Sequence, residues 1–384
     1  MPTVNQGVRG TGIIGTETRR SRDVTPSLLQ LEPDAAPLTT IMAKVRKRAT
    51  EDPKFEWFED ELNPRFDTLD GAIDDSQVTM DVDNFAYFRK GDLVKVNNAE
   101  IVRVTATPTT ATVAIKRAVG ETAGVAASDA DRLHILSPSD QEGAGRRDLL
   151  STQRVAQFNY AQIVKTPYGV TNTNKGTKQF AGQDLDEERA KKLIEHKRSI
   201  EEAILFGERH LDTSGTHPQR ATRGLIKTVS TNITDAGGAL TEPEFEDFLR
   251  PAYRYGSKQK MLFCSPKVIQ VINSYGREKL QTFSDDRTYG VTMTQYKNAG
   301  RMVMLVEHVL FTNDSLTDLT DIAGYALLLD LMDLELRYMR GQIVMLEEDI
   351  QANDEDQKID QYLSELGIEA HLEKKHALLT GVTG

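Results

Sequence analysis

A single apolar stripe along residues 184–207 constrains the fold more than any other feature of this sequence. The segment DLDEERAKKLIEHKRSIEEAILFG keeps Leu193, Ile200 and Ile204 on one helical face, and Gly207 supplies a stop. At about 1.5 Å per residue, this helix is roughly 35 Å long. Because only one stripe is apolar, we expect the helix to lie on a flat surface and to turn its other face to water or to a neighbouring molecule.

Residues 85–137 have a different pattern, in which β-branched residues alternate with polar ones. Turn-forming residues interrupt the alternation at 97–98 (NN) and at 107–110 (TPTT). The pattern predicts strands around Val94, Val102, Val113 and residues 133–136. Short strands separated by turn-forming residues predict a small sheet or barrel of about 50 residues.

Residues 241–330 predict a mixed α/β lobe. Thr241 and Glu244 form a capping box at the start of one helix, and Pro251 is expected to kink or end it early. Pro266 opens a second helix, and strands are predicted at 261–265, 301–311 and 324–331. The alternation from Leu366 to Leu372 predicts a long final strand with one buried face.

Composition excludes several classes of protein. Cys264 is the only cysteine among 384 residues, which excludes internal disulfides and multi-cysteine metal sites. The net charge of −11 does not suit a tight nucleic-acid binder, which usually carries a basic face. No run of about 18 apolar residues predicts a membrane span, and the first residues do not resemble a secretory signal.

We find no constellation of catalytic residues. Phosphate-binding loops and nucleophile elbows are absent from the sequence. Cys264, in MLFCSP, is expected to be a buried core thiol, with a nucleophile as the alternative. Residues 347–360 hold seven acids in fourteen positions and predict a solvated loop, or else a divalent-cation or intersubunit contact. We therefore predict no enzyme, catalytic residue, cofactor or metal site.

The N-terminal part carries features that favour contact with other molecules. Residues 1–32 are polar and net positive, and are either a tail or an arm that orders on another subunit. Residues 37–50 predict a short helix, in which 44–48 (KVRKR) form a solvated face or a phosphate contact. Residues 53–64 then place three aromatics among four acids.

The order of these segments resembles that of tailed-phage major capsid proteins of the Hong Kong 97-type fold, over roughly residues 35–384. The segments 36–45 and 55–62 resemble that family's motif through Glu56, Trp57, Asp60 and Leu62. Residues 158–183 resemble its N-x-x-Q-I strand through Asn159, Gln162, Ile163 and Val170. Residues 193–207 resemble its spine helix through Glu195, Lys197, Arg198, Ile200, Glu201, Leu205 and Gly207. The segment 222–229 resembles the part that follows, whereas the closing strand lacks the usual arginine-asparagine.

The resemblance implies an α+β fold with an N-terminal arm, an extended loop, a spine helix, and peripheral and axial domains, plus a small β-barrel-like insertion. The implied boundaries are the arm at 1–32, the N-terminal helix and extended loop at 33–160 with the insertion at 85–137, the peripheral domain at 161–240 with the spine helix at 184–207, the axial domain at 241–320, and a return to the peripheral domain at 321–384.

The resemblance also implies where subunits meet. Phe55, Trp57 and Phe58 are expected to anchor the base of the extended loop, on their own spine helix or on an adjacent subunit. A local hydrophobic core with an acidic rim is the alternative. Further assembly residues are expected among the acids and bases beside these aromatics and on the spine helix: Asp60, Arg46, Arg48, Glu195, Arg198 and Glu201.

The implied function is self-assembly, through hexamers and pentamers, into the icosahedral head shell of a tailed double-stranded DNA phage. Decoration, scaffolding and portal proteins are possible partners, the packaged DNA makes only weak non-specific contact, and no membrane is involved. The implied location is the virion, after synthesis in the host bacterial cytoplasm. Two alternatives remain, an encapsulin-like cellular compartment and an α/β enzyme that uses Cys264.

Overall fold

The computed structural model describes residues 38, 41, 46–177, 184–275, 280–282, 293–298, 300–311, 322–341 and 343–383. The chain divides into two compact units, a larger one of Met1–Glu56 with Phe158–Gly384 and a smaller one of Trp57–Gln157.

The strands and helices of the described residues follow one another in a mixed order. In chain order, the strands are β1 (Lys47–Ala49), β2 (Lys54–Glu59), β3 (Phe66–Thr68), β4 (Thr79–Asp81), β5 (Asp92–Val96), β6 (Glu100–Val104), β7 (Thr112–Lys116), β8 (Arg132–Pro138), β9 (Val155–Tyr160), β10 (Gln162–Thr171), β11 (His210–Asp212), β12 (Gln219–Ala221), β13 (Ile233–Gly238), β14 (Gln259–Cys264), β15 (Leu280–Thr282), β16 (Met293–Asn298), β17 (Arg301–Glu307), β18 (Ala326–Leu329), β19 (Leu334–Tyr338), β20 (Met345–Glu347), β21 (Gln357–Ala370) and β22 (Ala377–Val382). The α-helices are α1 (Asn172–Lys175), α2 (Asp184–Phe206), α3 (Leu225–Thr228), α4 (Glu242–Ala252) and α5 (Pro266–Ser274).

A seven-stranded sheet in the order β13-β22-β18-β14-β17-β16-β15 separates two cores in the larger unit. Because successive side chains of a strand point to opposite faces, Met261 and Phe263 of β14 enter one core, which also contains residues of α2. Leu262 and Cys264 enter the other core, together with residues of α4 and α5. Burial on both faces explains why this stretch of sequence is continuously apolar.

A second sheet of the larger unit has the order β1-β19-β21-β10, with β20 also paired to β21. Its long strand β21 runs antiparallel to β10, from the pair Gln162–Leu366 to the pair Thr171–Gln357. The helix α2 packs against β10 and β21, and buries Ile200 and Ile204 in the core that it shares with Leu366.

The smaller unit contains six strands in the order β3-β8-β5-β6-β7-β4. An antiparallel bridge between Leu69 and Val82 joins the ends of the two outer strands, so the strands surround a core of their own. The carboxylate of the buried Glu100 accepts hydrogen bonds from Nε and Nη2 of the Arg117 guanidinium. Burial alone would raise the pKa of Glu100, but Arg117 and the backbone N–H groups of Ala118 and Val125 hold that pKa below its ordinary value.

The strongest local patterns of the sequence are confirmed. The predicted helix at 184–207 is α2, which ends immediately before Gly207. The capping box of Thr241 and Glu244 is present, and α4 ends one residue after Pro251. The four strands predicted within 85–137 are β5, β6, β7 and β8, but the six-stranded sheet also takes in β3 and β4, which precede that range.

Two expectations were wrong. The helix predicted at 37–50 does not include Lys47–Ala49, which pair in parallel with β19; the basic residues there lie on an edge strand and not on a helix face. The final strand was expected to bury one face, yet Leu366–Ala370 of β21 are buried at every position. They are buried because α2 packs against β21 and the ring of Phe55 lies against Gly367.

Candidate assembly surfaces

The strands β2 and β9 pair as a two-stranded ribbon, and the boundary between the two units falls within both strands. At one end, the Ala161 N–H donates to the Pro53 carbonyl at 2.8 Å. At the other end, the Thr152 hydroxyl donates to Asp60 at 2.9 Å. The two strands therefore run in opposite directions, and the aromatic residues of 53–64 lie on a ribbon with two faces.

Phe55 is buried within its own chain, with 5% of its surface exposed. Its ring atoms lie 3.0 Å from the position that a Cβ at Gly367 would occupy. The Arg337 guanidinium lies 5.9 Å from the ring centroid. Phe55 therefore packs on the strands β19 and β21, which corrects the expectation that it anchors to the spine helix or to another subunit.

Trp57 and Phe58 point to opposite faces of the ribbon, because side chains alternate along a strand. Trp57 is half-buried and donates from Nε1 to Glu59 at 2.9 Å. Phe58 has 71% of its surface exposed. Phe55, Trp57 and Phe58 therefore do not form one aromatic anchor, and Phe58 is the one that projects into solvent.

The acids around these aromatics have partners on the ribbon itself. Glu56 pairs with Lys54, two residues away on the same face. Asp60 accepts the hydrogen bond from Thr152 and lies 4.0 Å from Arg154. Arg46, one of the basic residues expected to pair with these acids, donates to the Met332 carbonyl.

Four large apolar side chains are exposed on the two segments that meet at Asp60 and Thr152. Their exposed fractions are 71% for Phe58, 93% for Leu62, 82% for Leu149 and 56% for Val155. We call these four residues the ribbon patch. All four belong to the smaller unit, and large apolar side chains exposed on two paired segments are candidates for contact with another molecule.

The spine helix α2 carries charged pairs on its outer side. Lys192 pairs with Glu195 at 2.6 Å, and Arg198 pairs with Glu202 at 3.2 Å. Such pairs stabilise a helix by about 0.2–0.5 kcal/mol each. The side chains of Glu195 and Arg198 remain partly exposed.

Glu201 does not lie on the outer side of α2. It is fully buried, and its carboxylate accepts hydrogen bonds from the Leu38 N–H and from His308 inside the larger unit. The assignment of Glu201 to an intersubunit surface was therefore wrong. The helical pattern places it between Ile200 and Ile204 in sequence, on the side of the helix that faces the core.

The acidic stretch at 347–360 is held by basic groups of the same chain. Asp360 is fully buried, and Arg189 of α2 donates to Asp360 at 3.1 Å and to Glu348 at 2.6 Å. The Asp349 N–H donates to the other oxygen of Asp360 at 3.0 Å. Within the described part of the chain, no group of three or more His, Cys, Asp or Glu side chains is arranged to hold a metal ion.

Sequence reasoning missed the structural role of Asn159 and Gln162. The Asn159 side chain bonds to the backbone of Arg223, and the Gln162 side chain accepts from the Thr222 N–H at 3.2 Å. These bonds connect the end of the ribbon to the segment that follows the spine helix. The N-x-x-Q spacing was the available signal, but it does not reveal which backbone groups the amides would bond.

Cys264 is fully buried in the strand β14. Burial raises the pKa of its thiol well above the ordinary value, and the nearby Glu307 acts in the same direction. A thiolate is the reactive form of cysteine, so this residue is unsuited to nucleophilic catalysis.

No helix in the described ranges is long and apolar enough to cross a membrane.

The described residues thus contain a long helix packed on a sheet, an α/β lobe and a separate β-rich unit. The fold is similar to that of a chain in the solved structure of Microbacterium phage Oxtober96. The TM-score is 0.51, the sequences are 10% identical, and the match covers 96% of this chain and 98% of that chain. The fold is also similar to the capsid of an empty GTA particle, with a TM-score of 0.50, 9% identity, and coverage of 98% and 100%. The fold is the mixed α+β fold of Hong Kong 97-type capsid proteins.

The family described as SU10 major capsid protein matches residues 4–383. The chain therefore belongs to the SU10 major capsid protein family, which confirms the resemblance to phage capsid proteins. The major capsid protein of Pseudomonas phage PaMx41 is 23% identical over 247 residues, which cover 61% of this chain. The match spans 58% of that relative's own length.

Proposed function

We propose that this chain self-assembles, through hexamers and pentamers, into the icosahedral head shell of a tailed double-stranded DNA phage. The observation that carries the proposal is the ribbon patch, in a chain that belongs to a capsid protein family. A two-stranded ribbon is marginally stable in water, and Phe58 on it is 71% exposed. A second copy of the chain that covers this patch explains both facts, and repeated identical contacts close into a shell.

The other assembly contacts are proposed on the outer side of the spine helix. Glu195 and Arg198 keep exposed charge there, where charged groups select the register of a partner more than they add affinity. Arg46 and Arg48 are exposed at the edge strand β1 and beside it. We propose that they too face a neighbouring copy. The division into arm, extended loop, peripheral domain and axial domain remains a prediction.

The charge of the chain supports the role of a container. With a net charge of −11, a subunit attracts packaged DNA only weakly, because tight binding needs a surface that displaces counterions from phosphates. We propose that the protein resides in the virion after synthesis in the host cytoplasm. Portal, scaffolding and decoration proteins remain predicted partners, and the absence of an enzymatic activity remains a prediction.

Electron microscopy of the purified, overexpressed chain tests the function directly. Closed icosahedral particles are the expected result, and a chain that stays single-copy at high concentration would contradict it. DNA inside particles from infected cells distinguishes a phage head from an encapsulin-like compartment, in which a protein cargo is expected. The family and the curated relative favour the phage head.

The ribbon patch is tested by Phe58→Ser, with Val78→Ser as the matched control. Both side chains are exposed apolar groups of the smaller unit, so each change is expected to alter subunit stability by about 0.5 kcal/mol or less. Only Phe58→Ser is expected to reduce the yield of shells. Trp57→Ala is also expected to leave the subunit folded and to lower shell yield, since Trp57 lies on the same ribbon. Equal shell yields from Phe58→Ser and from Val78→Ser would show that the ribbon patch has no role in assembly.

A further inference from the structure

Two residues from the N-terminal part of the chain lie deep in the larger unit. Leu38 and Ile41 are both helical and fully buried. Being three residues apart, they share one face of a helix. Both belong to the core that contains Ile200 and Ile204 of α2, so this short segment is packed into its own chain.

A buried carboxylate meets this segment at one backbone group. Glu201 Oε1 accepts from the Leu38 N–H at 2.7 Å and from His308 Nε2 at 2.7 Å. His308 Nδ1 accepts from the Leu310 N–H at 3.2 Å, so Nε2 is the nitrogen that carries a hydrogen for Glu201. Both side chains are fully buried, and the two bonds offset the desolvation of the carboxylate.

Apolar packing alone does not fix the position of a helical segment along a groove. A shift by one residue rotates the apolar face by about 100° and also removes the Leu38 N–H from Glu201. The Glu201 carboxylate therefore favours one register, because a misplaced segment removes one of the donors to a buried carboxylate.

We propose that Glu201 and His308 form an N-terminal clamp that fixes the position of Leu38 in the larger unit. Glu201 is a positioning residue on the core side of α2. In a shell, which is the part that rests on the proposed function, every copy then holds Leu38 in the same position. Copies that agree in this position present the same surfaces to one another, as a closed symmetric assembly requires.

Hydrogen exchange of the full-length chain, read at the Leu38 amide, tests the clamp without reference to assembly. In Glu201→Ala we expect exchange at Leu38 to rise about tenfold or more, the size expected from losing a charge-assisted hydrogen bond. Glu201→Gln keeps an acceptor oxygen and nearly the same volume, so an intermediate rise is expected. Glu202→Gln is the matched control on the next residue of α2, whose carboxylate pairs with Arg198 at the surface.

The outcomes separate positioning from simple destabilisation. Faster exchange at Leu38 with unchanged protection of the smaller unit and of α5 supports the clamp. Unchanged exchange at Leu38 in Glu201→Ala, or an equal loss of protection throughout the chain, overturns it. If Glu201→Ala does not fold, Glu201→Gln gives the reading, because its neutral amide oxygen is a weaker acceptor for the Leu38 N–H than the carboxylate is.

Assembly gives a second and independent reading. We expect Glu201→Ala subunits to form fewer shells than wild-type subunits. A loosened Leu38 together with a normal shell yield overturns the role of the clamp in assembly. Failure of the wild-type chain to form shells refutes the proposed function instead, and leaves the exchange measurement on the clamp intact.

Discussion

The side-chain amide of Asn159 pairs with the backbone of Arg223 in both directions. Its Oδ1 accepts from the Arg223 N–H at 2.8 Å, and its Nδ2 donates to the Arg223 carbonyl at 3.1 Å. The same Nδ2 donates to the Ile368 carbonyl at 2.8 Å, and Oδ1 also accepts from the Tyr160 N–H at 2.8 Å. One buried side chain thus joins the end of the ribbon, the segment after the spine helix and the closing strand β21.

Replacement of Asn159 by aspartate is expected to destabilise the larger unit. Aspartate has the same shape but no N–H, so the carbonyls of Arg223 and Ile368 lose their donor and face a carboxylate in a buried site. Leaving a buried polar group unsatisfied costs about 1–3 kcal/mol, and we expect a loss of at least this size. Chemical unfolding measures this loss in the free energy of unfolding, with Asn63→Asp at an exposed position as the control. Equal stabilities for the two variants would contradict the structural role of Asn159.

Replacement of Gly224 by alanine is expected to displace the segment after the spine helix. A Cβ at Gly224 would lie 2.6 Å from both the Gly207 nitrogen and the Leu205 carbonyl oxygen, which are backbone atoms. The backbone must therefore move, which also disturbs the 2.7 Å bond from the Gly224 N–H to the Gly207 carbonyl. We expect a lower melting temperature than for Gly145→Ala, where a Cβ meets nothing within 4 Å. Matching melting curves would show that the close approach has no energetic consequence.

Replacement of Arg117 by methionine is expected to destabilise the smaller unit. Arg117 is the ion-pair partner of the buried Glu100, and removing one member of a buried pair costs about 3–5 kcal/mol. Protection of residues 57–157 from hydrogen exchange should fall strongly. The control is Arg154→Met, whose side chain is 77% exposed and should matter little. Comparable protection in both variants would show that the buried pair contributes little.

The stability of the larger unit is expected to fall as the pH drops from about 6.5 to about 4. Burial lowers the pKa of His196 from 6.5 to about 4, and burial with the nearby Lys260 lowers that of His376 to about 4. In this range the unfolded chain binds protons that the folded chain does not, so acid favours unfolding by up to about 3 kcal/mol for each group. Above pH 6.5 neither histidine contributes to the pH dependence.

The variant His196→Gln isolates one of these two contributions. Glutamine retains polar groups for Thr166 and Ser364, which lie 2.8 and 2.7 Å from the histidine nitrogens, but it does not titrate. Free energies of unfolding measured from pH 7 to pH 4 should fall less steeply than in the wild type, whereas His210→Gln, at an exposed position, should follow the wild type. Parallel curves for all three proteins would rule out a contribution from His196.

Cys264 is expected to resist thiol reagents in the native protein and to react once the chain is unfolded. The thiol is fully buried, and its raised pKa suppresses the thiolate. Labelling with a thiol reagent, followed by mass measurement with and without denaturant, gives the answer. Rapid labelling of the native chain would reopen the question of a reactive cysteine.

Periodicity, capping residues and turn residues were enough to predict the helices and strands that depend mainly on interactions between neighbours in sequence. The helix α2 follows from its 3.6-residue periodicity and from Gly207, and the start of α4 follows from the reciprocal bonds of Thr241 and Glu244. The strands of the smaller unit follow from alternation and turn residues. The order of motifs was also enough to indicate the family, because it depends on spacing along the chain and not on contacts.

Contacts between distant parts of the chain decided the rest. Lys47–Ala49 became a strand because β19 offers a parallel edge, and Phe55 turned inward because Gly367 leaves room for its ring. Glu201 resembled a surface charge in sequence, yet Leu38 and His308 bring it two donors inside the core. Periodicity specifies which residues share a face, whereas only the folded chain specifies what that face meets. The free energy of burying a charge or an aromatic ring depends on that neighbour.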